Sequence, residues 1–239
     1  MSWGWYASSV LAWHNETVNA ATMLVGFVVF LDALERAVRR WRETASDAFP
    51  LVVFRACTTM MFACSTAYHA FWPRGRRAYE TLLRIDHACI VLCVGSYAFP
   101  TAAIVLGSTT STTSSSFSTR AYWFVATLVT ARNVLFVLIK KPNTAKRLRA
   151  TAATAWFVPA LFAHGWFLAS STDSASFETY RRAIVVGVLF PLGALAYATK
   201  VPDRFFPGYF DHVGSHEFMH ACVLVAAMVH GNMFERSLL

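Results

Sequence analysis

Seven apolar stretches constrain this chain more than any motif in it. They lie at about 18–38, 50–72, 85–107, 121–140, 151–170, 183–201 and 213–234, each near the roughly 20 residues that a helix needs to cross a bilayer. Backbone N–H and C=O groups in hydrocarbon must be satisfied within the segment, so such stretches fold as helices. Composition agrees: 56% of the 239 residues are apolar and 14% charged, whereas average proteins carry about 25% charge. The expectation is an all-α membrane protein, a single domain over 1–239 built as a seven-transmembrane helix bundle.

The breaks between spans are marked by Pro50, Pro73, a Ser/Thr tract from Ser108 to Thr119, the run Lys140-Lys141-Pro142, and Pro202 with Pro207. Residues 1–13 carry Trp3, Trp5, Tyr6 and Trp13 without Lys or Arg, which predicts a short interfacial segment and not a signal peptide. Cys57, Cys64, Cys89, Cys93 and Cys222 all fall inside spans, so buried free thiols are expected in place of a disulfide framework. The net charge of +8 sits mostly in short loops, where it suits anionic headgroups; no nucleic-acid partner is expected.

With seven spans, the loops after spans two, four and six share a side with the N-terminus. They hold eleven Lys and Arg residues against eight on the other side, so the positive-inside rule predicts a cytoplasmic N-terminus. The same count gathers several polar groups on one side. His69 closes span two, Asp86 opens span three, and His216 and His220 open span seven. His14, Asn15 and Glu16, just before span one, lie there too.

Residues four apart on a helix share a face, so His216 and His220 project together, and Ser65 does so with His69. Imidazole nitrogen suits Zn²⁺, and three protein ligands leave a fourth position for water. Bound zinc lowers the pKa of that water to about 7 and polarises a carbonyl. Asp86 could then orient the water or take its proton, and Ser65 could hydrogen-bond it. The plainer readings stay open: histidines facing headgroups, and Asp86 capping its helix. Other in-span groups are costly in lipid and need partners. For Arg132 a structural partner such as Asp32 or Glu35 and a substrate role stand equal, while His164 reads as an interhelical hydrogen-bonding residue and His212 as a loop histidine. Cys89 and Cys93 read as core.

Three blocks carry a resemblance: WHNETVNAAT, the stretch from CSTAYHAFW to RIDHACIVLCVGSYAFP, and VPDRFFPGYFDHVGSHEFMHACVLVAAMVH. In these the chain resembles the progestin and adipoQ receptor family, which includes adiponectin receptors and the bacterial hemolysin III proteins. The resemblance implies seven helices with a cytoplasmic N-terminus and a buried zinc site near the cytoplasmic side. It assigns the metal ligands to His69, His216 and His220, and the groups beside the zinc-bound water to Asp86 and Ser65. It also implies ceramidase-type hydrolysis of a lipid amide linked to lipid signalling. The first block departs from the family at Ala20, Ala21 and Met23, where receptors often show an aromatic and a His. The stretch before span one is short beside the cytoplasmic extension of the animal receptors, which weakens a specific hormone-receptor assignment.

Three functions compete at this point. The first is a zinc-dependent membrane hydrolase acting on a ceramide-like lipid. The second is a receptor or sensor whose zinc is structural, its protein ligand open. The third is a transporter or channel, which the absence of inverted repeats and paired broken helices disfavours.

Overall fold

The computed structural model describes residues 14–44, 48–71, 75–107, 113–139, 174–209 and 213–238. The predicted interfacial segment 1–13, the predicted fifth span at 151–170, His164 and His212 lie outside the described residues. Every regular element among the described residues is an α-helix: α1 Thr17–Thr44, α2 Phe49–Phe71, α3 Arg76–Ser96, α4 Ala98–Gly107, α5 Thr113–Ile139, α6 Ser174–Thr199 and α7 Ser215–Leu238. Six segments are long and apolar enough to cross a membrane, α3 and α4 counting together as Arg76–Ile104. The protein is therefore an integral, multi-pass membrane protein.

Helix boundaries and hydrophobic boundaries differ, for a physical reason. Hydropathy marks where a segment tolerates hydrocarbon, whereas a helix continues into the interface as long as its side chains support it. The third span, expected from 85, starts at Arg76, whose guanidinium pairs one turn on with Glu80 at 3.1 Å. α1 continues past its apolar stretch to Thr44, with the i,i+4 pairs Asp32–Arg36 and Glu35–Arg39 just before its last turns. Part of the Ser/Thr tract, expected to be a loop, is the first two turns of α5. The break between α3 and α4 at Tyr97 has its cause in Pro100. Its ring lacks an N–H and crowds the carbonyl four residues back, at Ser96.

The core lies between α1, α2, α3 and α7. Phe30, Phe54, Phe62 and Phe234 are almost wholly buried, with Met23, Leu51 and Met233 beside them. Phe54 meets Phe234 edge-on with ring centroids 5.1 Å apart. α1 approaches α2 closely because Gly26 lies under Phe62; a Cβ there would stand 2.4 Å from the ring. Small residues let helices approach in this way where lipid offers no hydrophobic drive to associate. The opposite faces are apolar and exposed, with Leu24, Val28 and Leu31 on α1 and Phe124, Leu128 and Leu135 on α5. That surface suits lipid contact.

Side-chain contacts fix the direction of each helix. Asn19, early in α1, bonds Glu217, early in α7, at 2.8 Å. His69, late in α2, meets the start of α7, while Arg55, early in α2, pairs with Glu235 at the end of α7. α1 and α7 therefore run parallel, and α2 runs against both. Tyr197, late in α6, packs on His216. Trp123, early in α5, bonds the Phe99 carbonyl of α4, and Leu138, late in α5, accepts from Arg84 of α3. So α5 and α6 both run toward the end of the bundle that holds His69 and His216.

Candidate metal centre

α2 brings His69 to that end in its last turn. α7 brings His216 and His220 in its first two turns. Two carboxylates fix where α7 starts. The Ser215 N–H donates to both oxygens of Asp203, at 3.0 and 3.1 Å, and its hydroxyl bonds the same carboxylate. The Gly214 N–H donates to Glu217 at 2.8 Å, the acidic half of a capping box. The first turn of the helix that carries two of the imidazoles is thus held in register.

The three side chains converge. Nε2 of His220 lies 3.1 Å from Nε2 of His69 and 3.1 Å from Nε2 of His216. One ligand atom from each of the three falls within 4.8 Å of the others. Among the described residues, no other group of three His, Cys, Asp or Glu side chains comes together in this way. A ring nitrogen carries either one proton or one lone pair. Nε2 of His220 therefore cannot satisfy two neighbouring nitrogens by hydrogen bonding alone, whereas three lone pairs turned to one cation can. Tetrahedral zinc with Zn–N bonds of about 2.0–2.1 Å needs nitrogens roughly 3.3 Å apart, close to the spacing found. The donor set fits a zinc-like ion.

Glu16 supports this arrangement. Its Oε2 lies 2.7 Å from Nδ1 of His69, from a position just ahead of α1. A carboxylate there favours the proton on Nδ1 and leaves the Nε2 lone pair toward the other two rings, as in carboxylate–histidine–metal arrangements. Burial works against the charge on Glu16. Hydrogen bonds from His69 and Asn19 nevertheless hold its carboxyl below the ordinary carboxylate range. Span counting places Glu16 on the same side as the histidines, but no motif spacing in the sequence marks its role. The available signal was an acidic residue at the mouth of a span on the same side as the histidines.

Ser65 is buried one turn before His69 on the same face of α2. Asp86 is buried on α3, within electrostatic reach of Cys64 and Tyr68 of α2. α3 packs against α2, the helix that bears Ser65 and His69. One expectation about it is corrected. Asp86 does not open or cap its helix; Gly75 is the N-cap, and Asp86 sits in the third turn. Asp32 and Glu35, the candidate structural partners of Arg132, bond Arg36 and Arg39 of their own helix instead, and Arg132 is exposed on α5. Cys89 and Cys93 are core, with the Cys93 thiol 3.4 Å from the Thr58 hydroxyl.

A family model described as haemolysin-III related matches residues 11–231. Heptahelical transmembrane protein 1 of Arabidopsis thaliana is 26% identical over 239 positions, covering 93% of this chain and 69% of that protein. Heptahelical transmembrane protein ADIPOR2 of Oryza sativa subsp. japonica is 28% identical over 193 positions, 76% of this chain and 79% of that protein. The adiponectin receptor protein of Drosophila melanogaster is 46% identical over 67 positions, but these cover 28% of this chain and 14% of the receptor.

Proposed function

Since this chain belongs to the haemolysin-III-related family of membrane proteins, we propose that it is a zinc-dependent intramembrane hydrolase that cleaves a lipid amide of the ceramide type. The observation that carries the reading is the convergence of three imidazole nitrogens from α2 and α7, two of the pairs 3.1 Å apart. His69, His216 and His220 would hold the ion. Zinc, when bound, supplies a Lewis acid and a water acidified to near neutrality.

The remaining work falls to the chain. Asp86 takes the proton of the attacking water and returns it to the departing amine, so that water adds across the C–N bond to give a fatty acid and a free amine. Ser65 hydrogen-bonds the carbonyl oxygen as it gains charge. Glu16 holds the His69 ring and its tautomer. The bilayer serves as substrate reservoir and excludes bulk water around the reacting amide.

The seven-span count rests on chain direction. It is supported by α5 and α6 running the same way and by the apolar stretch that hydropathy marks between them in the sequence. The cytoplasmic N-terminus rests on loop charge, and the site then lies toward the cytoplasm.

Reconstitution of the purified protein in ceramide-containing nanodiscs, with products followed by mass spectrometry, tests the reading. Wild type releases fatty acid and amine; His216→Ala and Asp86→Asn do not. Equal turnover by wild type and His216→Ala would sink it. A structural zinc is the second reading, favoured by ligands that tie α2 to α7. In that case Asp86→Asn and wild type are alike in zinc content, in stability and in their lack of turnover.

A further inference from the structure

A continuous hydrogen-bonded chain leads from the start of α7 to the ring of His69, and its middle member is Asn19. Asn19 is 1% exposed, in the first turn of α1. Its Nδ2 donates one hydrogen to Glu16 Oε2 at 2.9 Å and the other to Glu217 Oε1 at 2.8 Å. A side-chain amide has two such hydrogens, and both are used. The orientation is determined as well, because a flipped amide would set its oxygen against two carboxylates. The second oxygen of Glu217 takes the Gly214 N–H, and Glu16 Oε2 meets Nδ1 of His69. One amide therefore joins the carboxylate that steadies the α2 ligand to the carboxylate that starts the helix of the other two ligands.

We propose that Asn19 is the positioning residue of the histidine centre. Its hydrogen bonds go to Glu16 and Glu217 and not to the three imidazoles, so it acts through the two carboxylates. Two bonds of this length from one nitrogen bring the carboxylates to roughly 5 Å of each other. Like charges at that range repel and would separate without the amide between them. Separation would let Glu16 leave Nδ1 of His69, freeing the ring to change tautomer or turn. It would also loosen α1 from the first turn of α7. Helix α1, which supplies no ligand, thus sets the geometry of the ligands on its neighbours. This inference rests on reading the three histidines as metal ligands.

The test uses purified full-length wild type, Asn19→Leu, Asn19→Asp and the double variant Asn19→Asp/Glu217→Gln. Zinc release is timed with a chromophoric chelator, and the visible spectrum is recorded after Co²⁺ substitution. Removing a supporting group of this kind typically weakens metal binding about 10- to 100-fold. Asn19→Leu is expected to release zinc faster by that order and to show an altered Co²⁺ spectrum. Asn19→Asp is expected to be worse, and the double variant better than Asn19→Asp, because the amide introduced by Glu217→Gln supplies the missing hydrogen. A brace that held helices together without positioning ligands would lower thermal stability equally with and without zinc and leave the Co²⁺ spectrum unchanged.

Histidine ¹⁵N shifts of the wild type keep the proposal testable if variants fail to fold, since they must report His69 protonated on Nδ1. An Nε2-protonated His69 overturns the proposal, and so do folded Asn19 variants that release zinc at the wild-type rate. Wild type that takes up no zinc removes the underlying reading and the proposal with it, a result distinct from either.

Discussion

Removing either member of the Arg55–Glu235 ion pair is predicted to have unequal effects. The pair lies at the far end of the bundle from the histidines and ties α2 to α7, with Nη2 and Oε2 2.7 Å apart. The two partners sit in different surroundings, the Arg55 side chain 6% exposed and that of Glu235 38% exposed. At 2.7 Å and an effective dielectric of 20, the gross attraction is about 6 kcal/mol. Solvent at the half-exposed carboxylate screens part of that, and desolvation of Arg55 opposes it. Glu235→Ala strands a buried guanidinium, left with the Gly231 carbonyl at 3.4 Å and the face of Phe30 at 5.8 Å. Stranding a buried charge costs about 3–5 kcal/mol, and the screening here argues for the lower end, about 3. Arg55→Met instead fills the space with an apolar chain and leaves a carboxylate that can turn to solvent, at a cost of about 1 kcal/mol. Unfolding in nanodiscs, followed by intrinsic fluorescence against temperature and denaturant, should rank Glu235→Ala as clearly the less stable. Arg55→Met/Glu235→Ala should match Arg55→Met. Equal losses, or the reverse order, would refute the assignment of the cost to the buried partner.

Three further outcomes are expected. Glu16→Gln should weaken zinc binding about 10- to 100-fold in metal-buffered titrations while leaving zinc stoichiometry at saturation unchanged. Chelator should lower the thermal midpoint of wild type and leave that of His216→Ala/His220→Ala unmoved, because only a folded site gains stability from its ligand. Gly26→Ala would place a Cβ 2.4 Å from the fully buried ring of Phe62, so it should cost about 1–3 kcal/mol, measured by the same unfolding assay. Phe62→Leu in the same chain should recover part of that loss.

The legible part of this protein was local. A run of apolar residues reports its own transfer free energy, so each of the six spans among the described residues could be read without knowing its neighbours. The i,i+4 spacing that aligns His216 with His220, and Ser65 with His69, needs only helix geometry. Counting spans put these residues at one end, and α1, α2 and α7 do meet there. Hydropathy does not report helix starts such as Arg76 and Thr113, because ion pairs and polar residues extend helices past the hydrocarbon. Asp86, at the mouth of the apolar stretch, lies inside its helix for the same reason.

Only the tertiary structure decided which side chains are partners. Glu16 and His69 are 53 residues apart, Asn19 and Glu217 are 198 apart, and nothing in either local stretch encodes the 2.7–2.8 Å contacts between them. Arg132 had plausible partners by charge alone, but those acids pair one turn on along their own helix, with Arg36 and Arg39. Solvation is a property of a segment and can be read along the chain. A hydrogen bond between helices depends on their relative rotation and depth, which the packing of Phe62 on Gly26 and its neighbours sets for the bundle as a whole.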